Sequence, residues 1–165
     1  MGSEFADLLE ANRRYADREH VADLAGVAGR GVAVITCMDA RLDPLRMLGL
    51  GAGDAKVLRN AGGRVTPDVT DALVLAANLL GVRRILVVPH TKCAMSSRSE
   101  QEFRDAVSEA SGRDASWTSW AVVTDQEAAL RDDVAQLRAH PLLPAEVVVG
   151  GFRYDVDTGL LTQVS

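Results

Sequence analysis

The chain has 165 residues, of which 47% are hydrophobic, 25% charged and 4% aromatic, and its formal net charge at pH 7 is −5. These values are ordinary for one globular domain and exclude a disordered or collagen-like chain. The acidic balance argues against nucleic-acid binding, because phosphate backbones attract cationic surfaces. The longest nearly apolar stretch, residues 73–81, is too short to span a bilayer, and the N-terminus lacks a signal-peptide pattern. We therefore expect a single-domain cytoplasmic protein with no nucleic-acid or membrane partner.

The N-terminal segment carries apolar side chains at helical spacing. Phe5, Leu8 and Leu9 fall on one face of a helix over residues 4–17, which predicts an amphipathic N-terminal helix. Residues 2–5 also resemble a cloning linker, so we assign them no function.

Short apolar runs predict the strands of a buried sheet. Because β-branched residues point to both faces of these runs, they fit a parallel sheet covered on both sides. Two further runs flank an Asp-Thr-Gly turn and predict a C-terminal hairpin. The predicted strands are residues 31–36, 55–59, 84–88 and 146–150, and the hairpin strands are residues 152–156 and 160–164.

Helix start signals lie between these strands. At two predicted helix starts, a capping side chain is followed by a proline. The other two match a capping box, in which a hydroxyl residue is followed three positions later by glutamate. Strands that alternate with helices predict an α/β fold, with a mainly parallel β-sheet flanked by helices. The predicted helices begin at Asp43-Pro44, Thr66-Pro67, Ser99 and Thr124 and end near residues 49, 80, 110 and 139.

The least patterned segment, residues 111–119, contains Trp117, and Trp120 follows it. Tryptophan side chains most often anchor packing and only occasionally form a lid or a subunit contact, so both are predicted to be packing anchors. His20 and His140 lie near predicted helix ends and are expected at the surface.

The residues with distinctive chemistry follow two of the predicted strands. Cys37 follows the first strand, and His90 and Cys93 follow the third. Isolated cysteines are usually small apolar core residues, but the carboxyl ends of parallel strands are where such folds build their sites. Two thiolates and one imidazole suit Zn²⁺ and leave a fourth position open. The sequence therefore predicts a zinc site, with Asp39 as a candidate for the fourth ligand.

These residues resemble the motifs of β-class carbonic anhydrases. Cys37-Met38-Asp39-Ala40-Arg41 matches C-x-D-x-R, and His90-Thr91-Lys92-Cys93 matches H-x-x-C. Arg59-Asn60-Ala61-Gly62 is similar to the R-N-A-G segment of that family. The resemblance covers about residues 30–165 and is closest to the short, compact microbial type.

The resemblance implies reversible hydration of CO₂ to bicarbonate by a metal-bound hydroxide, with one Zn²⁺ per subunit held by Cys37, His90 and Cys93. Asp39 would accept the hydrogen bond of the hydroxide, and Arg41 would hold Asp39 by a charge-assisted pair. If Arg41 released it, the Asp39 carboxylate would become a conditional fourth ligand, and that state would be inactive.

Members of this family are dimers or larger assemblies in which the N-terminal helix packs on a partner subunit. Because this chain has such a helix, the resemblance implies at least a homodimer, with residues 1–30 as a helical arm. Ala94 stands where the family usually has glycine, and Lys92 also departs from the common pattern. Since glycine permits backbone angles that alanine does not, we expect the loop of residues 90–95 to differ.

Two other functions remain open from the sequence. A zinc hydroxide attacks other heterocumulenes, so hydrolysis of CS₂ or COS is the first alternative. The second is a catalytically silent zinc-binding or regulatory protein in which Asp39 permanently closes the coordination sphere. The glycines of residues 60–63 match neither the P-loop nor the dinucleotide-binding pattern, and no C-x-x-C pair supports dithiol chemistry.

Overall fold

The computed structural model describes residues 4–165, so Gly2 and Ser3 of the segment resembling a cloning linker lie outside the described residues. Within this part of the chain, no helix combines the length and apolar character that crossing a bilayer requires. The elements in chain order are α1 (Ala6–Arg18), β1 (Val32–Cys37), α2 (Pro44–Met47), β2 (Ala55–Asn60), α3 (Pro67–Leu79), β3 (Arg84–Val88), a 3₁₀ turn (Ala94–Ser96), α4 (Glu100–Ser111), α5 (Gln126–Arg138), β4 (Val148–Tyr154) and β5 (Leu161–Gln163).

The strands form one sheet with the order β2-β1-β3-β4-β5. The first four are mutually parallel, and β5 pairs with β4 in the antiparallel direction. Every residue of β1 is buried, as its β-branched composition predicts for a central strand. The prediction of an α/β fold with a mainly parallel sheet is confirmed.

Helices α3 and α5 pack on one face of the sheet. Leu73 of α3 and Leu137 of α5 are fully buried in a cluster that includes Ile35 and Ile85 of the sheet. Burying each of these side chains contributes about 1.5–3 kcal/mol. The opposite face, around Val34, is covered by the segment after α2 and by the C-terminal hairpin. With both faces covered, the carboxyl edge, where β1 and β3 end, is the part of the sheet at which folds of this class build their sites.

The predicted break between the fourth strand and the hairpin is wrong. Strand β4 runs unbroken through Gly150 and Gly151. A Cβ atom on Gly151 would lie 3.0 Å from Val134 and 3.1 Å from Leu130 of α5. The missing side chain therefore lets α5 approach the strand closely, and it does not end the strand. The hairpin itself is confirmed.

The helices begin where the sequence signals predict, except that the capping residue of α5 differs by one position. Ser99 forms the predicted capping box at the start of α4. Helix α5 is instead capped by Asp125 and not by Thr124. The Asp125 carboxylate accepts hydrogen bonds from the second and third helical amides at 3.1 and 3.0 Å. Because a carboxylate satisfies two free amides and adds favourable charge at a helix start, it replaces the neighbouring hydroxyl as the cap.

The two tryptophans have different environments. Trp120 packs against Phe103 with a centroid separation of 6.5 Å, as predicted. Trp117 is 81% exposed, so its prediction as a packing anchor is wrong within a single copy of the chain. Its indole N–H donates to the Asp114 carbonyl oxygen at 3.1 Å, which holds the ring in a local surface turn.

Helix α1 forms as predicted, but none of its residues is buried. Leu8 is 61% exposed and Leu9 is 52% exposed, and both lie on the predicted apolar face. A single copy of the chain therefore leaves this face in contact with solvent. His20, just beyond the helix, is exposed as predicted.

Candidate active site

The carboxyl ends of β1 and β3 bring three soft side chains together. Cys37 is the last residue of β1, and the adjacent strand β3 leads directly to His90 and Cys93. The ligand atoms of the three residues all lie within 4.8 Å of one another, and all three residues are buried. Parallel pairing of neighbouring strands thus brings Cys37 next to His90 and Cys93, which lie 53 or more positions later in the sequence.

The imidazole of His90 is oriented for metal binding. Its Nδ1 lies 2.8 Å from the Thr91 carbonyl oxygen, which can only accept a hydrogen bond. Nδ1 therefore carries the proton, and Nε2 presents a lone pair. Nε2 is buried and has no hydrogen-bond partner among the described residues. Because an unpaired buried polar atom is costly, a cation at this point would satisfy it.

The spacing of the two sulfurs also fits a metal ion. Cys37 Sγ and Cys93 Sγ lie 3.9 Å apart, and both cysteines are free. A tetrahedral Zn²⁺ with Zn–S bonds of about 2.3 Å separates two sulfur ligands by about 3.8 Å. A disulfide would require about 2.05 Å. The donor set and its spacing therefore match a zinc site.

Burial, with a smaller contribution from the nearby Cys37, raises the pKa of the Cys93 thiol to about 11. Without a cation, this thiol is protonated at neutral pH. A metal ion that binds here must displace the proton, so metal loading releases acid.

Asp39 and Arg41 form a tightly bonded pair beside the cluster. Arg41 Nε and Nη2 donate to the two Asp39 carboxylate oxygens at 2.9 and 2.8 Å, and the Arg41 amide donates to the same carboxylate at 2.9 Å. These bonds hold the pKa of Asp39 well below its usual range and raise the pKa of Arg41. Asp39 Oδ2 lies 3.7 Å from His90 Nε2. The pair therefore keeps an ionised acceptor next to the three soft side chains.

The loop between His90 and Cys93 supports this pair through its backbone. Lys92 has a φ of 55°, which is unusual for a residue other than glycine. Its carbonyl oxygen accepts from Arg41 Nη2 at 3.1 Å, and its ammonium group pairs with Asp157 at 2.6 Å. The side chain of Lys92 thus points to solvent and away from the sulfurs.

Ala94 has a backbone conformation that does not require glycine. The positive-φ residues that are not glycine are Asp23 and Lys92 in the described part of the chain, and Ala94 begins the 3₁₀ turn. Alanine adopts such a conformation without strain. The backbone strain behind the expectation of a different loop is therefore absent at Ala94, and the difference itself stays a prediction.

Arg59 is a site residue to which the sequence analysis gave no role. Its Nε donates to the Cys37 carbonyl oxygen at 2.9 Å, and its Nη2 donates to the Asp39 carbonyl oxygen at 2.7 Å. One guanidinium thus fixes the backbone of the first motif at two points. Its place in the Arg-Asn-Ala-Gly segment was the signal available in the sequence, and the register of the structure, in which Arg59 pairs with Thr36, shows why: Arg59 lies beside the end of β1.

Two clefts meet at this site. The first, of about 570 Å³, has a partly polar lining that includes Ser96, Thr124 and Gln126. The second, of about 410 Å³, is mainly apolar and is lined in part by Met38 and Met95. Both clefts reach Cys93 and Asp39, so the site is accessible from a polar side and from an apolar side.

Comparison with known proteins agrees with this geometry. A family model described as carbonic anhydrase matches residues 32–161. Beta-carbonic anhydrase 1 of Mycobacterium tuberculosis is 36% identical over 134 residues, which cover 81% of this chain and 82% of that protein. A carbon disulfide hydrolase of an Acidianus strain is 33% identical over 159 residues, covering 78% and 74%. The crystal structure of a carbonic anhydrase from Streptococcus mutans aligns with a TM-score of 0.91 at 39% identity, covering 100% of this chain and 99% of that one. The chain belongs to the β-carbonic anhydrase family.

Proposed function

We propose that the protein is a zinc-dependent carbonic anhydrase, a carbon-oxygen lyase that interconverts CO₂ and bicarbonate. The observation that carries this proposal is the buried cluster of Cys37, His90 and Cys93, with the ion pair of Asp39 and Arg41 beside it. Family membership and the similarity to beta-carbonic anhydrase 1 support the same activity.

Cys37 Sγ, Cys93 Sγ and His90 Nε2 would hold one Zn²⁺ per subunit. A bound zinc ion lowers the pKa of a water ligand to about 7 and so supplies a nucleophile at neutral pH. The chain itself contributes the orientation of the imidazole through the Thr91 carbonyl and the burial of the three residues that would hold the metal.

Asp39 accepts a hydrogen bond from the attacking nucleophile and thereby directs its lone pair toward carbon. Its depressed pKa keeps the carboxylate ionised, and therefore able to accept, across the neutral range. Arg41 fixes the carboxylate through two side-chain bonds. If Arg41 released Asp39, the carboxylate would be free to act as a conditional fourth ligand and close the site.

The two clefts fit the polarity of substrate and product. CO₂ is small and uncharged, and the mainly apolar cleft beside Met38 offers it a route that charged species do not favour. Bicarbonate is charged and strongly hydrated, and the polar cleft offers it the hydrogen-bonding side chains of Ser96, Thr124 and Gln126. We therefore assign substrate entry to the apolar cleft and product release to the polar one.

Metal analysis combined with stopped-flow hydration tests this function. We expect about one zinc per chain and CO₂ hydration that disappears when a chelator removes the metal. Parallel assays with CS₂ and COS address the relative named carbon disulfide hydrolase. Turnover of CS₂ or COS without CO₂ hydration would show that the protein is a heterocumulene hydrolase. Zinc-loaded protein that is inactive on CO₂, CS₂ and COS would show that the protein is a catalytically silent zinc-binding protein.

We also propose that the single α/β domain assembles as at least a homodimer, with the N-terminal arm up to residue 30 packed on the partner. The exposed apolar face of α1 supports this arrangement, because an isolated amphipathic helix gains stability by burying such a face. A cytoplasmic location is proposed as well, because free cysteines that bind metal suit a reducing compartment.

Replacing Leu8 with aspartate tests the interface. A charge on the apolar face of α1 would have to be buried without a partner, so Leu8→Asp is expected to convert the dimer to monomers in sedimentation experiments. Ala6→Asp introduces the same side chain in the first turn of the helix, where an acid is favourable, and should leave the dimer intact. A dimeric Leu8→Asp variant would show that α1 does not form the contact.

A further inference from the structure

A clamped turn lies directly against Cys37. Asn60 ends β2, and its side chain bonds both backbone groups of Arg64: Asn60 Nδ2 donates to the Arg64 carbonyl oxygen at 2.8 Å, and Asn60 Oδ1 accepts from the Arg64 amide at 2.8 Å. Within the turn, the Gly62 amide donates to Cys37 Sγ at 3.4 Å. A Cβ atom on Gly63 would lie 2.9 Å from the Cys37 amide nitrogen. The turn therefore contacts the sulfur through Gly62 and approaches the Cys37 backbone so closely at Gly63 that a side chain would not fit there.

Helix α5 holds the far end of this turn through Asp133. The carboxylate of Asp133 accepts from Arg64 Nε at 2.7 Å, from Arg64 Nη2 at 2.9 Å and from the Val65 amide at 3.2 Å. Asp133 is only 3% exposed. A carboxylate so far from water needs these donors, and the planar guanidinium supplies two of them in a fixed geometry.

We propose that Asp133 is a positioning residue for the metal centre: through Arg64 it fixes the turn whose Gly62 amide donates to Cys37 Sγ. The proposal rests on the proposed zinc site. Hydrogen bonds to a metal-bound thiolate set its orientation and its electron donation, and such outer partners affect metal affinity strongly. Asp133 belongs to neither of the two family motifs and lies on a different layer of the fold.

The same helix provides a matched contrast. Glu127 and Arg131 also form an ion pair on α5, at 2.7 Å, but both side chains are more than half exposed. Water screens that pair and can replace either partner, so its loss has little effect. The Asp133 pair is distinguished by its burial and by its link to the turn.

The test compares Asp133→Asn with Glu127→Gln in the zinc-loaded protein. Asparagine keeps the shape of the side chain, but it loses the charge and cannot receive both bonds from Arg64. We expect Asp133→Asn to release zinc to a chelator about 10- to 100-fold faster than the wild type. In Co²⁺-substituted protein, the sulfur-to-cobalt absorption band should shift. Glu127→Gln should leave both measurements unchanged.

A purely structural role would give a different pattern. If Asp133→Asn lowers the melting temperature but keeps the wild-type zinc release rate and cobalt spectrum, the proposal is wrong. If that variant does not fold, Arg64→Lys is measured in its place, because lysine keeps the charge without the paired bonds. A smaller acceleration of zinc release supports the proposal, and an unchanged rate overturns it. Wild-type protein that retains no zinc would overturn the proposed function instead.

Discussion

Replacing Cys93 with serine is expected to abolish zinc retention and CO₂ hydration together. The substitution removes one of two soft thiolates and leaves a hydroxyl group, which is a poor zinc ligand at neutral pH. Since a catalytic metal supplies several kcal/mol of transition-state stabilisation, kcat/KM should fall by at least about 10³-fold. Zinc content after dialysis and stopped-flow hydration measure the two losses.

The loss must come from the sulfur and not from damage to the loop that carries it. Ser97→Ala, four residues further along, removes a hydroxyl that donates to the Ala94 carbonyl at 2.7 Å and should leave zinc bound. Circular dichroism should show that Cys93→Ser keeps its helices and strands. A folded Cys93→Ser variant with full zinc content would show that the metal is held elsewhere.

The convergence of the soft side chains could be predicted because it depends only on strand order and direction. Cys37 and the pair of His90 and Cys93 follow runs rich in β-branched residues, and such runs form parallel strands with their carboxyl ends at one edge. The neighbouring relation of β1 and β3 then brings the three together. No side-chain contact had to be known in advance.

Other features depend on contacts that local sequence does not encode. Gly150 and Gly151 carry the signals of a strand end, yet close approach of α5 makes them the middle of β4. The bonds between Arg64 and Asp133 join residues 69 positions apart. Helical spacing places Asp133 on the same face of α5 as the buried Leu130 and Leu137, but it does not identify Arg64 as the partner of that carboxylate. Long-range packing determines such roles, and a single sequence does not reveal them.

The prediction that Trp117 anchors packing was wrong within a single chain for a related reason. Its prediction rested on the large apolar surface of the indole, whereas a bond of 3.1 Å from its own N–H to the Asp114 carbonyl keeps it in a surface turn. Trp120, three residues later, lies beside Phe103 and is partly buried. Two residues of the same type and segment thus differ because only one reaches the core.

Asp39→Ala is expected to keep its zinc and lose most of its rate. The carboxylate is held by Arg41 and is not needed for the three-ligand set, so metal content should be unchanged. Removing the hydrogen-bond acceptor that orients the nucleophile should lower kcat by about 10²-fold or more, and KM should change much less because the loss concerns the transition state. Asp157→Ala removes another carboxylate, paired with Lys92 and 61% exposed, and should have little effect.

The direction of the change separates the three possible roles of Asp39. An orienting acceptor predicts a slower enzyme with zinc bound. A permanent fourth ligand predicts the opposite, because removing the carboxylate would open the site and activity would appear or rise. An essential structural ligand predicts that zinc is lost with Asp39→Ala. The bonded pair with Arg41, in which both carboxylate oxygens already accept hydrogen bonds, favours the first role, and a wild-type kcat in the variant would refute it.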